Sequence, residues 1–188
     1  MIPKFKAWLT GVAAPSAAPN AASVTTRILM VCTGNICRSP TAEGVLRAKL
    51  QRAGLQGLVL VDSAGTQGYH TSEPPDVRAV RAAAQRGYQI GGLRARAMKP
   101  EDFASFDWVL AMDQSHMDWL LKRSPPQAAG RITLLMSLAL QHLGTQEVPD
   151  PYYGGPAGFE HVLDLVEDAC EGVVDRLRAG QPLLERAV

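Results

Sequence analysis

The chain has 188 residues, 46% of them hydrophobic, which suits one well-buried domain and is too short for two ordinary domains with a linker. The chain has 19 lysine and arginine residues against 18 acidic residues. The net charge of +1 therefore excludes a strong positive electrostatic potential over the whole protein that would attract nucleic acid or an anionic membrane. We therefore predict neither partner, and we expect any basic character to be local.

Residues 1–26 are rich in Ala, Pro and Ser and show no sustained hydrophobic period, which predicts a mobile extension. Lys4 and Lys6 precede a short apolar stretch that is faintly like a signal peptide, but Gly11 and Pro15 interrupt it. No run in the sequence approaches the roughly 20 apolar residues that span a bilayer. We expect one domain at 27–180 and a tail at 181–188.

The first predicted strand, Ile28–Val31, is a continuous apolar run of the kind found in buried parallel strands. Cys32 closes it, and Ser39 and Pro40 are typical of a helix N-cap and first helical residue. The intervening loop therefore lies where the N–H groups and dipole of a new helix favour an anion. Asn35 tolerates the positive φ that such a tight turn requires.

The residue types in this loop favour phosphate chemistry. Arg38 follows Cys32 by six positions, so one loop can place a sulfur at its base and a guanidinium at its rim. Arginine pairs bidentately with phosphate oxygens, and loop N–H groups, a helix N-terminus and the Ser39 hydroxyl favour a nucleophilic thiolate. A bare Cys-x5-Arg would fit ordinary buried thiols and a surface charge better than a site, but the flanking strand, the Gly-Asn turn and the Ser-Pro cap favour a site.

Strand and helix patterns alternate along the rest of the chain. This order predicts a single-domain three-layer α/β sandwich, with a four-stranded parallel sheet and helices on both faces. In such sheets ligands bind outside the carboxyl ends of the strands, which is where Cys32 lies. Helices are predicted at 40–53, 76–86, from 113 onward and at 159–177, and further strands at 57–64, 107–112 and 131–135.

The segment 147–156 is a loop, because its prolines and glycines forbid regular structure, and it concentrates a carboxylate with two aromatic rings. On composition alone it fits an ordinary Asp-Pro turn.

The string VCTGNICRSPTAEG at 31–44 closely resembles the signature loop of the low-molecular-weight protein tyrosine phosphatases, and the match continues in order to about residue 178. The resemblance implies that Cys32 is the nucleophile, Arg38 binds phosphate and Asp150 is the general acid. It further implies a phosphate-binding loop and an aromatic lining of the substrate mouth. The loop residues are Thr33, Gly34, Asn35, Ile36, Cys37 and Ser39, and the lining residues are Tyr69, Tyr152 and Tyr153.

The expected activity is hydrolysis of phosphotyrosine through a cysteinyl-phosphate intermediate, fastest on the mildly acidic side, where an acid can be protonated beside a thiolate. The expected partner is a tyrosine-phosphorylated protein, with a cognate tyrosine kinase among the candidates. Three cysteines, none in a Cys-x2-Cys pair, argue against a disulfide framework and a zinc site. We expect no metal, no cofactor and, because a thiolate needs a reducing compartment, a cytoplasmic location.

Members resembling this chain brace the loop through Asn35, Ser39 and Ser63, often with a histidine where Leu93 stands, which predicts one bracing hydrogen bond fewer here. Asp113 matches a family aspartate near the base of the loop, although a helix N-cap explains it equally well. The remaining histidines carry no ligand spacing. We expect His70 to be a loop residue and surface or packing roles for His116, His142 and His161.

Three alternatives remain. Arsenate reductases of the same fold need further cysteines for a disulfide relay, and only Cys37 and the distant Cys170 are available. Phosphoarginine phosphatases resemble this loop but carry threonine where Ile36 stands. A catalytically dead phosphate-binding module would have lost the nucleophile or the acid, and both are present.

Cys37 is also a candidate redox partner. Its position resembles that of the family's second loop cysteine, so peroxide could convert Cys32 to a sulfenic acid that Cys37 captures as a reversible disulfide. A buried thiol that only fills space is the other interpretation.

Overall fold

A computed structural model describes residues 25–183, and in this part of the chain four strands form one parallel sheet in the order β2-β1-β3-β4. The strands are β1 (Thr26–Cys32), β2 (Val59–Gly65), β3 (Trp108–Ala111) and β4 (Ile132–Leu134). The helices are α1 (Arg38–Arg52), α2 (Val77–Gln85), α3 (Asp102–Ser105), α4 (Gln114–Arg123), α5 (Pro126–Ala129) and α6 (Pro156–Arg178), with a 3₁₀ turn at Leu135–Leu138.

Strand β1 is the centre of the sheet because it pairs with β2 on one side and β3 on the other. Its residues Ile28–Val31 are fully buried, as expected for a strand covered on both faces. Alternation along the strand divides the core. Ile28 and Met30 belong to the cluster that includes α1, α2 and α6, whereas Leu29 and Val31 belong to the cluster on the α3–α5 side. The predicted three-layer α/β sandwich is therefore confirmed.

The predicted elements are found with their bounds shifted by a few residues. The short helices α3 and α5 and the 3₁₀ turn were not predicted, since four residues cannot show a helical period. Residues 1–24 of the predicted extension and residues 184–188 of the predicted tail lie outside the described part of the chain. Thr26, which was predicted to be the last residue of the extension, is the first residue of β1. No helix within 25–183 is long and apolar enough to cross a membrane.

The parallel register brings the carboxyl ends of β1 and β2 together and supports the loop after β1. Cys32 pairs with Gly65, and the N–H groups of Thr66 and Gln67 donate to the carbonyls of Cys32 and Thr33 at 2.8 and 2.9 Å. A Cβ atom on Gly65 would lie 2.6 Å from the Thr33 carbonyl oxygen. Only glycine permits this approach, so Gly65 holds the base of the loop in place.

Candidate active site

Cys32 lies at the bottom of the loop that joins β1 to α1. Its side chain is buried, and its Sγ lies 3.1 Å from the Ser39 hydroxyl in the first turn of α1. The contact places a hydroxyl within hydrogen-bonding distance of the sulfur.

Ser39 was expected to be the N-cap of α1, and this was wrong. The helix begins at Arg38 with Cys37 in the N-cap position, so Ser39 is the second helical residue. Its hydroxyl turns into the loop toward Cys32 instead of toward the backbone of the helix. The Ser-Pro signal placed the helix start within two residues but misassigned the serine's partner.

Asn35 shapes the loop from behind. It has a φ of 57°, the left-handed conformation expected from the sequence, and its side chain is almost fully buried. Its Nδ2 donates to the hydroxyls of Ser39 at 2.9 Å and Ser63 at 2.8 Å, while its Oδ1 accepts from the Arg96 backbone N–H at 2.9 Å. The amide thus ties the loop to α1, to β2 and to the segment before α3.

Ser63 in turn donates to a carboxylate that the sequence analysis overlooked. Its hydroxyl lies 2.6 Å from Oε2 of Glu43, which is 2% exposed, and the other oxygen of Glu43 pairs with Arg47 at 2.6 Å. Burial raises the pKa of Glu43, and the hydrogen bond from Ser63 and the charge of Arg47 oppose that rise. Leu93 packs against the core, and the brace on Ser63 comes from Glu43.

The Arg38 guanidinium is buried and held by two carboxylates. Its Nη1 donates to Asp113 at 2.6 Å and to the Val148 carbonyl at 3.3 Å, and its Nη2 donates to Asp150 at 3.0 Å. Such charge-assisted contacts fix the direction of the planar fork. Arg38 therefore joins the end of β3 and the 147–155 loop to the loop that carries Cys32.

Asp113 serves both roles that the sequence left open. Its Oδ1 accepts from the His116 N–H at 3.0 Å and caps α4, while its Oδ2 holds Arg38. Burial opposes the charged form of Asp113, but contacts from His116 and Ser115 outweigh it and hold its pKa well below the usual range. The carboxylate is a permanent negative charge behind the guanidinium.

His116 is buried beside the loop, and its contact with the site was missed. Its Nε2 lies 2.8 Å from the Thr33 hydroxyl, and its Nδ1 lies 2.8 Å from Oδ1 of Asp113, at an angle that gives no hydrogen bond with the described residues. The signal that could have found it is its position three residues after the capping Asp113, on the side of α4 that faces the sheet.

Cys37 lies inside the loop and is buried. Desolvation, reinforced by the negative charge of Asp76, raises the pKa of its thiol to about 12. Cys37 is thus a protonated, weakly nucleophilic thiol near neutral pH. Cys170, in α6, is completely buried, and burial raises its pKa to about 12 as well.

Asp150 lies at the rim, with 46% of its side chain exposed. Its Oδ2 contacts Arg38 and its Oδ1 accepts from the Tyr152 backbone N–H at 3.1 Å. The rings of Tyr152 and Tyr153 meet edge to face, with centroids 5.0 Å apart. Tyr69 approaches from the loop after β2 and, like Tyr153, is largely exposed. These rings offer apolar walls around an acidic group.

His70 was expected to be an ordinary loop residue, but it lines the cavity above Cys32, together with Asp150 and the three tyrosines. Its Nδ1 lies 2.7 Å from Oε2 of Glu73, and a Cβ on Gly34 would meet the ring at 2.9 Å. Glycine at position 34 therefore leaves room for an imidazole that closes one side of the mouth.

Almost all of the predicted site residues line one cavity of about 230 Å³. Asn35 and Ser39 lie behind its wall, where they support the loop. The lining consists of Cys32, Thr33, Gly34, Ile36, Cys37, Arg38, Tyr69, His70, Asp150, Tyr152 and Tyr153. Within residues 25–183, no group of three or more His, Cys, Asp or Glu side chains is arranged to hold a metal ion.

Comparisons with known proteins identify the family of the chain. The family model described as low molecular weight phosphotyrosine protein phosphatase matches residues 27–182, which include every residue of the cavity. A low molecular weight protein-tyrosine-phosphatase of Streptomyces coelicolor is 43% identical over 157 residues, covering 82% of this chain and 95% of the relative.

Solved structures show the same fold. A protein tyrosine phosphatase from Entamoeba histolytica superposes with a TM-score of 0.80 at 41% identity, covering 82% of this chain and 98% of that one. YfkJ from Bacillus subtilis superposes with a TM-score of 0.79 at 31% identity, covering 87% of this chain and 100% of that one. On the family match and these identities, the chain belongs to the low molecular weight phosphotyrosine protein phosphatase family.

Proposed function

We propose that the protein hydrolyses phosphotyrosine in proteins through a cysteinyl-phosphate intermediate. The observation that carries the proposal is the convergence of Cys32, Arg38 and Asp150 on one cavity with aromatic walls. A thiolate, a bidentate guanidinium and a carboxyl are the nucleophile, the charge stabiliser and the proton donor that this reaction requires.

In the first step, the Cys32 thiolate attacks phosphorus in line, and the bond between phosphorus and the tyrosine oxygen breaks. Arg38 and the loop N–H groups stabilise the equatorial oxygens of the phosphate, since the unpaired N–H groups of the loop and of the α1 N-terminus favour an anion. Asp150 gives its proton to the leaving phenolate. The dianionic phosphate competes with Asp150 for Arg38.

In the second step, the Asp150 carboxylate accepts a proton from water, and that water attacks the cysteinyl phosphate. The sulfur–phosphorus bond breaks, inorganic phosphate leaves and the Cys32 thiolate is regenerated. One carboxyl thus serves both half-reactions, which the partial exposure of Asp150 at the rim permits.

The aromatic rim favours an aryl phosphate on a protein chain. Tyr69 and Tyr153 are 78% and 94% exposed, so they can flank a phenyl ring while the rest of a protein substrate stays outside. The substrate class is a tyrosine-phosphorylated protein, a cognate tyrosine kinase included, and a reducing compartment such as the cytoplasm would preserve the thiolate.

The test is hydrolysis of p-nitrophenyl phosphate and of a phosphotyrosine peptide by wild type, Cys32→Ser and Asp150→Ala, with and without EDTA. We expect wild-type turnover unaffected by EDTA and none above background in Cys32→Ser. Turnover by Cys32→Ser, or loss of the wild-type activity in EDTA, would contradict the mechanism. Capture of phosphoproteins from host extract by Asp150→Ala would then identify the substrate.

The alternatives are weaker but testable. An arsenate relay needs mobile thiols, and Cys170 is completely buried with a raised pKa. Ile36 stands where phosphoarginine phosphatases carry threonine. Thioredoxin-coupled reduction of arsenate, or faster hydrolysis of phosphoarginine than of phosphotyrosine peptides, would replace the proposal.

A further inference from the structure

Arg78, in the first turn of α2, is held rigidly by the residue that caps its helix. Its Nε lies 3.0 Å from Oδ1 of Asp76, and its Nη2 lies 2.8 Å from Oδ2 of the same carboxylate. Oδ1 of Asp76 also accepts the Arg78 backbone N–H at 2.8 Å. A fork-to-fork pair of this kind leaves the guanidinium one orientation, and it leaves Nη1 free to act elsewhere.

That remaining nitrogen reaches the loop that carries Asp150. Nη1 of Arg78 donates to the Tyr152 carbonyl at 3.0 Å, and the guanidinium lies over the Tyr152 ring at 5.4 Å and the Phe159 ring at 4.8 Å. The Tyr152 N–H donates to Asp150 at 3.1 Å. Tyr152 is therefore held at its carbonyl by Arg78 and contacts the proposed acid through its N–H.

The same cluster is fastened to the loop of Cys32. The Asp76 N–H donates to the Ile36 carbonyl at 2.8 Å. A continuous series of contacts thus runs from Ile36 through Asp76, Arg78 and Tyr152 to Asp150. Both ends of the series line the cavity, whereas Arg78 lies outside the lining that residues 25–183 provide.

The acid loop has few backbone donors, although the Gly154 N–H donates to the Pro151 carbonyl at 2.9 Å and Arg38 contacts Asp150. Pro149 and Pro151 have no N–H, and Gly154 and Gly155 add backbone freedom. At the start of the loop, the Val148 N–H donates to the Met112 carbonyl at 2.7 Å, and at its end α6 begins. Arg78 contacts the stretch between these two anchors.

We propose that Arg78 is a positioning residue that holds Asp150 at the correct distance from the Cys32 loop for proton donation to the leaving group. It does so without touching the substrate. The inference rests on the proposed function, since it assigns Arg78 to the acid step of that mechanism.

The test compares aryl phosphates that differ in their need for a proton. Phenyl phosphate requires protonation of its leaving group, whereas 2,4-dinitrophenyl phosphate releases a stable phenolate without it. For Arg78→Met we expect kcat/KM to fall by about 10- to 100-fold with phenyl phosphate, the scale of a misplaced catalytic group, and by less than about twofold with the dinitrophenyl ester. Arg78→Lys should recover part of the loss, because a point charge cannot reproduce the fork.

Two controls separate positioning from folding. Arg123→Met removes another arginine–aromatic contact, with Trp119 at 4.2 Å, and should leave both substrates unaffected. In an Asp150→Ala background, Arg78→Met should cause little further loss with phenyl phosphate, because the group that it positions is gone. Thermal unfolding of each variant verifies that it is folded. If Arg78→Met does not fold, Asp76→Asn replaces it, because the amide weakens the bidentate contact with Arg78, and the same results are expected.

An equal loss with both esters, or an undiminished further loss in the Asp150→Ala background, would overturn the inference while leaving the proposed function intact. Absence of Cys32-dependent hydrolysis in the wild type would overturn the proposed function, and the inference with it.

Discussion

Arg38 and Asp150 form an ion pair of 3.0 Å although 112 positions separate them in the chain. The group proposed to bind phosphate and the group proposed to donate the proton are therefore each other's partner. A phosphate bound at Arg38 would compete for the same guanidinium nitrogen. We therefore predict that substrate binding and release of the acid are coupled through this hydrogen bond.

Removal of Asp150 tests that coupling. For Asp150→Ala we expect kcat/KM with phenyl phosphate to fall by about 10²- to 10⁴-fold, the usual contribution of general acid catalysis. Inhibition by inorganic phosphate should tighten by up to about fivefold, equivalent to release of an ion pair of about 1 kcal/mol whose carboxylate is 46% exposed. Steady-state kinetics with phosphate as inhibitor measure both. Unchanged or weaker phosphate inhibition would show that the Arg38–Asp150 contact does not compete with the ligand.

Asp113 should contribute separately to activity and to stability, because one oxygen holds Arg38 and the other caps α4. Asp113→Asn keeps a capping oxygen but removes the charge, so we expect kcat/KM to fall about tenfold or more and stability to fall by about 1–3 kcal/mol. Asp113→Ala should lose about 1 kcal/mol more through the cap.

Urea unfolding together with kinetics separates the two effects. Equal stability of Asp113→Asn and Asp113→Ala would refute the capping contribution, and full activity of Asp113→Asn would refute its role behind Arg38.

Glu43 should give the protein a distinct pH dependence of stability. Because burial raises its pKa above the ordinary 4.5, the native state binds more protons than the unfolded state just above that pH. The contribution of Glu43 to the free energy of unfolding is therefore largest at low pH and decreases as pH rises through the raised pKa. Glu43→Gln lacks this titration, so the stability of wild type relative to Glu43→Gln should fall between pH 4.5 and 7.

Urea melts across this range measure the difference, with the exposed Glu101→Gln as a matched control that should follow wild type. A difference between wild type and Glu43→Gln that is constant with pH, or that rises, would contradict the raised pKa.

Cys37 should make oxidation reversible but slow at neutral pH. Peroxide oxidises the Cys32 thiolate to a sulfenic acid, which condenses with the Cys37 thiol to form a disulfide and water. We predict that dithiothreitol restores activity to oxidised wild type, whereas in Cys37→Ser excess peroxide oxidises the Cys32 sulfenic acid further to a sulfinic acid, which dithiothreitol does not reduce. Since the pKa of Cys37 is about 12, disulfide formation should accelerate about tenfold per pH unit between pH 6 and 9.

Recovery of activity with dithiothreitol and mass spectrometry of the disulfide test this prediction, and Cys170→Ser should behave as wild type. Equal recovery of Cys37→Ser and wild type would assign Cys37 to packing alone.

The elements and the loop were predictable because their signals are local. An apolar run ending in Cys32, a Gly-Asn turn and a Ser-Pro step lie within thirteen consecutive positions, 28–40, and the strand, the positive φ of Asn35 and the following helix all appear in the structure. Ser39 was misassigned because the same hydroxyl can either cap a helix or form a hydrogen bond with the Cys32 sulfur. Local sequence shows the donor but does not show its partner.

Glu43, Arg78 and His116 escaped sequence reasoning for the opposite reason. Their partners lie 20, 74 and 83 positions away in the chain, at Ser63, Tyr152 and Thr33. From the sequence, a glutamate and an arginine on helices look like solvated charges, and a histidine at a helix start looks like a packing residue. The sheet order is what places them beside the loop.

The sequence by itself determined the α/β class and the loop after β1 that suits an anion, because hydrophobic period and turn chemistry are written in neighbouring positions, whereas the candidate acid came from the family resemblance. Only the tertiary structure decided how the loop is braced, since Asn35 donates to Ser39 and Ser63, and Ser63 in turn donates to the buried Glu43. It also decided which carboxylates meet Arg38. Such contacts depend on parallel strands bringing distant carboxyl ends to one edge of the sheet, a long-range consequence that no local pattern contains.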